Sequence, residues 1–272
     1  MNKVKEDYLF LNIQTNSNLS FSLIKTSKLV EWAVKNHCEY LAIADYYPYE
    51  FLHFYQLCKE NKIKPLIGIK VIVQDGKKQY SVTVYPQNST GYKELMKKVF
   101  SGFESPDRIF SLEEILTLKK NCLLVFLVHN LRDIYYFSQQ PSFLAEKVES
   151  PQLYLGFDFC ISEPKKNISS QILPFLLPFF AVKVIFPEDT IVLNSLKLTS
   201  LTEHFFPLDV QQKFISLSSL RKEVFSALCA NDKVFCNILF AQVRSFLSRV
   251  NLKLSFGSSR AISNETKEFS EL

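Results

Sequence analysis

Three short runs place polar side chains where the ends of β-strands would present them. In Asn12-Ile-Gln-Thr15, residues 12 and 14 share one face by the two-residue strand period. Ala44-Asp45-Tyr46 ends a short apolar run, and Gly68-Ile-Lys70 interrupts another. These runs offer carboxamides, one carboxylate, a phenol and an ammonium. Carboxamides are weak ligands for zinc or manganese beside imidazole and carboxylate. An ammonium adds positive charge where cations would have to sit. No metal and no cofactor are therefore expected in this chain. Lys70 facing Asp45 across neighbouring strands suggests an ion pair, with a Lys70 stem snorkelling to solvent as the alternative.

The remaining reactive residue types are scattered. The four histidines are His37, His53, His129 and His204, none beside another ionisable residue at metal spacing. His129 ends an apolar run and is the one candidate leftover ligand, against the plainer reading of a polar strand terminus. Lys93, Lys97 and Lys98 make a basic patch on one predicted helix. They are candidate contacts to DNA phosphates, or simply a solvated helix face. No glycine-rich phosphate loop, Ser-His-Asp set or nucleophile elbow occurs, so the common nucleotide-binding and acyl-transfer signatures are excluded.

The elements that must position these residues alternate in type. Strands are predicted over Tyr8–Ile13, Tyr40–Asp45, Lys64–Val73, Tyr80–Tyr85, Cys122–Val128, Gln152–Phe157 and Phe179–Phe186. Between them, helical apolar stripes run over Thr26–Asn36, Tyr49–Glu60 and Asn88–Gly102. Ser111-Leu-Glu-Glu114 is a capping box ahead of another helix. Strands separated by helices at this spacing read as βαβ units, enough to close a barrel. The pattern changes near residue 206. Helices are predicted over Leu217–Ala230 and Asp232–Val250, then a strand-like piece over Leu252–Phe256 and a polar tail. The expected organisation is a distorted βα barrel over 1–205, a helical extension over 206–256 and a frayed tail over 257–272.

Hydrophobic residues make up 47% and charged residues 22% of the 272, so a large core is affordable and global disorder is excluded. The formal charge of +5 leans only slightly towards nucleic acid. The six cysteines form no CxxC pair and read as reduced core thiols. The opening MNKVKEDYLF lacks a signal-peptide apolar region, and Ile172–Phe180 is too short to span a bilayer. A cytoplasmic location without membrane contact is expected.

The runs also resemble a known family. NIQTNSNLS (Asn12–Ser20), LAIADYY (Leu41–Tyr47) and IKPLIGIK (Ile63–Lys70) stand, in order, where PHP domains carry His-x-His, Thr-Asp-His and Ile-Lys-Pro-Ile-Ile-Gly-x-Glu. TVYPQNSTGYKELMKKV (Thr83–Val99), IFSLEEIL (Ile109–Leu116), FFAVKVIFPED (Phe179–Asp189) and FISLSSLRKEVFSAL (Phe214–Leu228) resemble the polymerase branch. The resemblance, over about residues 6–250, is to the N-terminal PHP domain of the bacterial replicative DNA polymerase III alpha subunit. It implies a PHP-type, TIM-like barrel, a DNA-replication setting, and as partners the rest of the polymerase and the replisome subunits. Family members hold zinc or manganese in active PHP sites and magnesium on aspartates of the polymerase palm, the seat of nucleotidyltransferase activity. In this chain the former metal-site positions are Asn12, Gln14, Asp45, Tyr46 and Lys70, with only Asp45 kept, and no palm aspartates are found. The expected role is therefore a scaffold, inactive alone. A stand-alone PHP phosphoesterase, or an interaction module derived from the polymerase, are the alternatives.

Overall fold

A computed structural model describes residues 11–17, 22–101, 109–128, 130–140, 143, 145, 151–157, 172–199, 215–219 and 233–254. Strands β1 (Tyr40–Asp45), β2 (Lys64–Asp75), β3 (Lys78–Pro86), β5 (Cys122–Val128), β6 (Leu153–Phe157) and β7 (Leu176–Pro178) pair in that order. The short β4 (Ile109–Ser111) lies parallel to the upper half of β2. Most pairings are parallel, but β3 runs antiparallel to both β2 and β5. The hairpin between β2 and β3 turns at Asp75-Gly76, where Gly76 takes a φ of +60° that suits a residue without a Cβ.

Backbone hydrogen bonds link the β1 edge of this curled sheet to a second, two-stranded sheet through the segment around residue 13. The Ala44 N–H donates to the Ile13 carbonyl (2.7 Å), and the Gln14 N–H donates to the Val182 carbonyl (2.9 Å). The segment around residue 13 thus lies between β1 and β8 (Val182–Val184), while β7, just before β8 in the chain, pairs with β6. The result is the distorted βα barrel that alternation of strands and helices predicts. Beyond it, β8 pairs with the two-residue β9 (Ile215–Ser216). Of the run read as one strand over Phe179–Phe186, only Val182–Val184 (β8) is strand; β7 precedes the run and pairs with β6, whereas β8 pairs with β9.

Alternate strand residues face two different cores. Ile43, Ile67, Ile69, Val82, Val84, Leu124 and Leu155 look outward, under the helices. Ala42, Leu66, Tyr85, Leu123, Val125, Tyr154 and Phe179 fill the barrel interior. The outer layer is made by α1 (Thr26–Lys35), α2 (Phe51–Glu60), α3 (Ser89–Phe100), α4 (Leu112–Leu116), α5 (Leu131–Ser138) and α6 (Asp189–Thr199). Asn88 caps α3 by accepting from the Gly91 N–H at 3.0 Å. The predicted capping box forms at α4, between Ser111 and Glu114.

Two glycines leave room for aromatic rings inside the barrel. A Cβ on Gly68 would stand 2.7 Å from the Tyr85 ring and 2.8 Å from the Thr83 methyl. One on Gly156 would stand 2.8 Å from the Phe179 ring. Gly68→Ala is therefore expected to destabilise the fold by about 1–3 kcal/mol through overpacking. Urea denaturation checks this, and an unchanged midpoint would show that Tyr85 can swing aside.

The final helix, α7 (Lys233–Arg249), closes the end of the barrel opposite the strand C-termini. Val243, Phe246, Leu247 and Val250 join the interior core. Phe246 meets Tyr85 and Tyr154 edge-on, at centroid distances of 5.3 and 5.2 Å. Lys64, at the start of β2, donates to the Leu247 carbonyl at 2.9 Å, near the negative end of the helix. Arg249 donates to the Tyr154 hydroxyl and the Pro151 carbonyl. The helix predicted over Asp232–Val250 is thus present, and it is part of the barrel's packing. Of the helix predicted over Leu217–Ala230, residues from 220 onward lie outside the described residues, as do residues 1–10, the tail from 255, and His204. Residues 252–254 form no strand. Cys38, Cys58, Cys122 and Cys236 are buried free thiols; Cys160 and Cys229 lie outside the described residues.

Candidate functional site at the barrel mouth

The strand C-termini bring four of the five strand-end positions singled out from the sequence to the inward side. Ile13 belongs to the outer core, so Asn12 and Gln14 on the opposite face point inward, and both are buried. Ile69 and Val71 face outward, so Lys70 between them points inward, at 2% exposure. Its ammonium lies 5.7 Å from the centroid of the Tyr46 ring, within cation–π range. Tyr46 is likewise buried.

Asp45 does something different from its neighbours. Its two carboxylate oxygens are both engaged by Thr15, whose backbone N–H donates to Oδ1 at 2.7 Å and whose hydroxyl donates to Oδ2 at 2.6 Å. Asp45 therefore ties the end of the first segment to the end of β1. The expected direct ion pair with Lys70 is replaced by this tie. Lys70 acts on Asp45 through space, lowering its pKa, but only as a smaller influence. Burial is the largest effect and raises the carboxyl from 3.8 to about 6, against the two Thr15 hydrogen bonds and Lys70, with Glu50 adding to the rise.

Further polar groups stand beside this set that strand-end motifs did not point to. Lys183, between Val182 and Val184 on β8, is 0% exposed and faces inward because Val182 belongs to the outer core. Thr83 is the register partner of Lys70 and is buried, as is Ser81 on the same face. The Ser22 hydroxyl sits 2.6 Å from the Gln14 carbonyl oxygen and 2.9 Å from that of Lys183, pinning the two strands. The signal for Lys183 was present in the sequence as a lone lysine inside Phe179-Phe-Ala-Val-Lys-Val-Ile185, a charged residue amid apolar ones. Asn12 is 0% exposed, and neither amide atom has a hydrogen-bond partner among the described residues; the Ser81 hydroxyl also lacks one. Among the described residues, no group of three or more His, Cys, Asp or Glu is placed to hold a metal ion.

The other candidates are not drawn into the mouth. His129 lies outside the described residues. Lys93 and Lys97 are exposed and Lys98 half-buried on α3, whose Leu95 packs onto the outer core, so they belong to the outer surface. No helix among the described residues is long and apolar enough to cross a membrane.

Residues 11–125 match the family described as PHP domain. The chain is 31% identical over 91 residues to DNA polymerase III subunit alpha of Mycoplasma genitalium, and 36% identical over 87 residues to that of Staphylococcus aureus. Each match covers about a third of this chain (33% and 32%) and only 10% and 8% of the respective relative. A solved structure from Bifidobacterium adolescentis, described as a metal-dependent phosphoesterase, is 12% identical, with a TM-score of 0.27 over 85% of this chain and 74% of that one. A TM-score this low carries no argument about fold or function. The extent supported by sequence is thus shorter than the 6–250 over which the motifs resemble the polymerase: the match to the PHP domain spans residues 11–125, which contain all three strand-end runs, and the matches to DNA polymerase III subunit alpha cover about a third of the chain.

Proposed function

We propose that this chain is a PHP domain of the DNA polymerase III alpha type that serves DNA replication as a structural scaffold, without phosphoesterase chemistry of its own. One observation carries the reading. The inward positions at the barrel mouth are held by Asn12, Gln14, Tyr46 and Lys70, and the single carboxylate beside them, Asp45, has both oxygens committed to Thr15. Amides, a phenol and two ammonium groups do not fit zinc or manganese, which need imidazole or carboxylate donors and are repelled by buried positive charge. What these residues do is bind the strand ends to one another: Thr15 to Asp45, Ser22 beside Gln14 and Lys183, and Lys70 over Tyr46.

On this reading the partners are the remainder of a polymerase and its replisome subunits, in the cytoplasm, and the barrel braces them. The test is elemental analysis of the 272-residue chain after equilibration with zinc and with manganese, alongside hydrolysis of a chromogenic phosphate monoester. Substoichiometric metal and hydrolysis at the blank rate are expected. One equivalent of either metal retained after gel filtration would overturn the reading in favour of a working phosphoesterase.

A further inference from the structure

The residues that follow α7 climb the outer wall of the barrel between two helices. The Asn251 N–H donates to the Gln87 carbonyl at 2.8 Å, and the Ser89 hydroxyl at the start of α3 donates to the Lys253 carbonyl. The Leu254 N–H then donates to the Tyr55 hydroxyl on α2 at 3.1 Å. Residues 251–254 therefore run beside α3 in its own direction and come to rest against α2. Burial alternates along them: Asn251 and Lys253 are exposed, Leu252 is buried in the outer core, and Leu254 packs half-buried against it. Side chains two apart share a face in an extended chain, so the next residue on the apolar face of this row is Phe256.

The surface ahead of Leu254 is apolar on both sides. A helix side chain leans towards the N-terminus of its helix, so the Tyr55 ring that meets Leu254 lies over the turn that carries Leu52. Leu52, three residues before Tyr55 and on the same side of α2, is 46% exposed. On the facing helix, Met96 stands two turns beyond Ser89 on the same side of α3 and is half-buried. Three extended residues beyond Lys253 reach roughly 10 Å. Two helical turns rise about 11 Å, so Phe256 arrives at the height of Met96.

We propose that the cleft between α2 and α3 is a docking groove whose occupant is this chain's own segment from Ser255, with Phe256 seated between Leu52 and Met96. The segment continues the row Leu252, Leu254, Phe256 and stops at Gly257-Ser-Ser, where the apolar side chains give out. An uncharged ring meets a branched aliphatic chain on one wall and a thioether on the other, both of which favour an aromatic partner. Seated there, the segment is a strap. It fastens the end of α7 to α2 and α3, so that the floor of the barrel and its outer helices open together.

The experiment places a fluorophore at the anchor: Phe256→Trp in the 272-residue chain together with Trp32→Phe, since Trp32 is the chain's one tryptophan. Emission and acrylamide quenching are read over a range of protein concentrations. A blue-shifted emission, quenched severalfold less than free tryptophan amide and unchanged on dilution, is expected. Leu52→Asp in the same background, at an exposed position, should release the ring and raise the quenching severalfold. Phe256→Ala in the otherwise unaltered chain repeats the test through stability, with a melting midpoint expected to fall by about 2–5 °C. A tryptophan as open to acrylamide as the free amide, shielding that Leu52→Asp leaves unchanged, or an unaltered midpoint in Phe256→Ala would overturn the proposal. Shielding that disappears on dilution, with a dimer on gel filtration, would overturn it in favour of a second copy as the occupant.

Discussion

Phe246→Ala is expected to unfold the barrel more readily than any other single truncation on α7, by about 3–5 kcal/mol. Phe246 is 0% exposed and stands edge-on to both Tyr85 on β3 and Tyr154 on β6, the two strands that flank β5. Removing its ring deletes the transfer free energy of the side chain and leaves a cavity that the two rigid tyrosines cannot fill. Tyr85 is itself anchored, because its hydroxyl donates to the Leu11 carbonyl. The loss should therefore be felt at the first segment as well as at the helix. A loss of this size lowers the melting temperature of a chain this long by roughly 10 °C. Thermal and urea unfolding measure it, with Phe100→Ala, at a half-exposed residue, as the comparison. If the two variants unfold at similar midpoints, α7 is an appendage and not the floor of the barrel.

The second large effect belongs to the tie between Thr15 and Asp45, and it depends on pH. The Asp45 carboxyl titrates near 6 in the fold and near 3.8 as a free group. Because the folded value is raised, its contribution to stability is fully present below about pH 4 and is lost as pH rises through 6, a change of about 3 kcal/mol. The Thr15 hydroxyl limits that loss by donating to the anion. Thr15→Val removes this donor while keeping the shape. It should destabilise the fold by about 1.5–3 kcal/mol at pH 7.5, where Asp45 is ionised, and by clearly less at pH 4, where it is neutral. Urea unfolding at the two pH values gives the comparison. An equal loss at both would mean that the hydroxyl packs rather than stabilises charge.

Much of this architecture could be read along the chain. The apolar runs Tyr40–Asp45 and Cys122–Val128 are strands at the predicted limits, because continuous apolar runs of that length suit a strand covered on both sides. The stripe in Thr26–Asn36 and the cap at Ser111 are local patterns, and local hydrogen bonding or one buried face suffices to realise them. The direction of β3 was not read, although Asp75-Gly76 is a hairpin signal, because the strand pattern alone is the same in either direction.

The site divides along the same line. That the strand ends carry Asn12, Gln14, Tyr46 and Lys70 is legible along the chain, since residue type and a two-residue period need no fold to be seen. It takes the fold to show that Asp45 bonds to Thr15 rather than to Lys70, that Lys183 comes to the mouth from more than 100 residues further along, and that the Asn12 amide has no hydrogen-bond partner among the described residues. Those outcomes turn on which face a side chain takes at a strand end and on the register between distant strands. Both are set by closure of the barrel, and no local pattern encodes them.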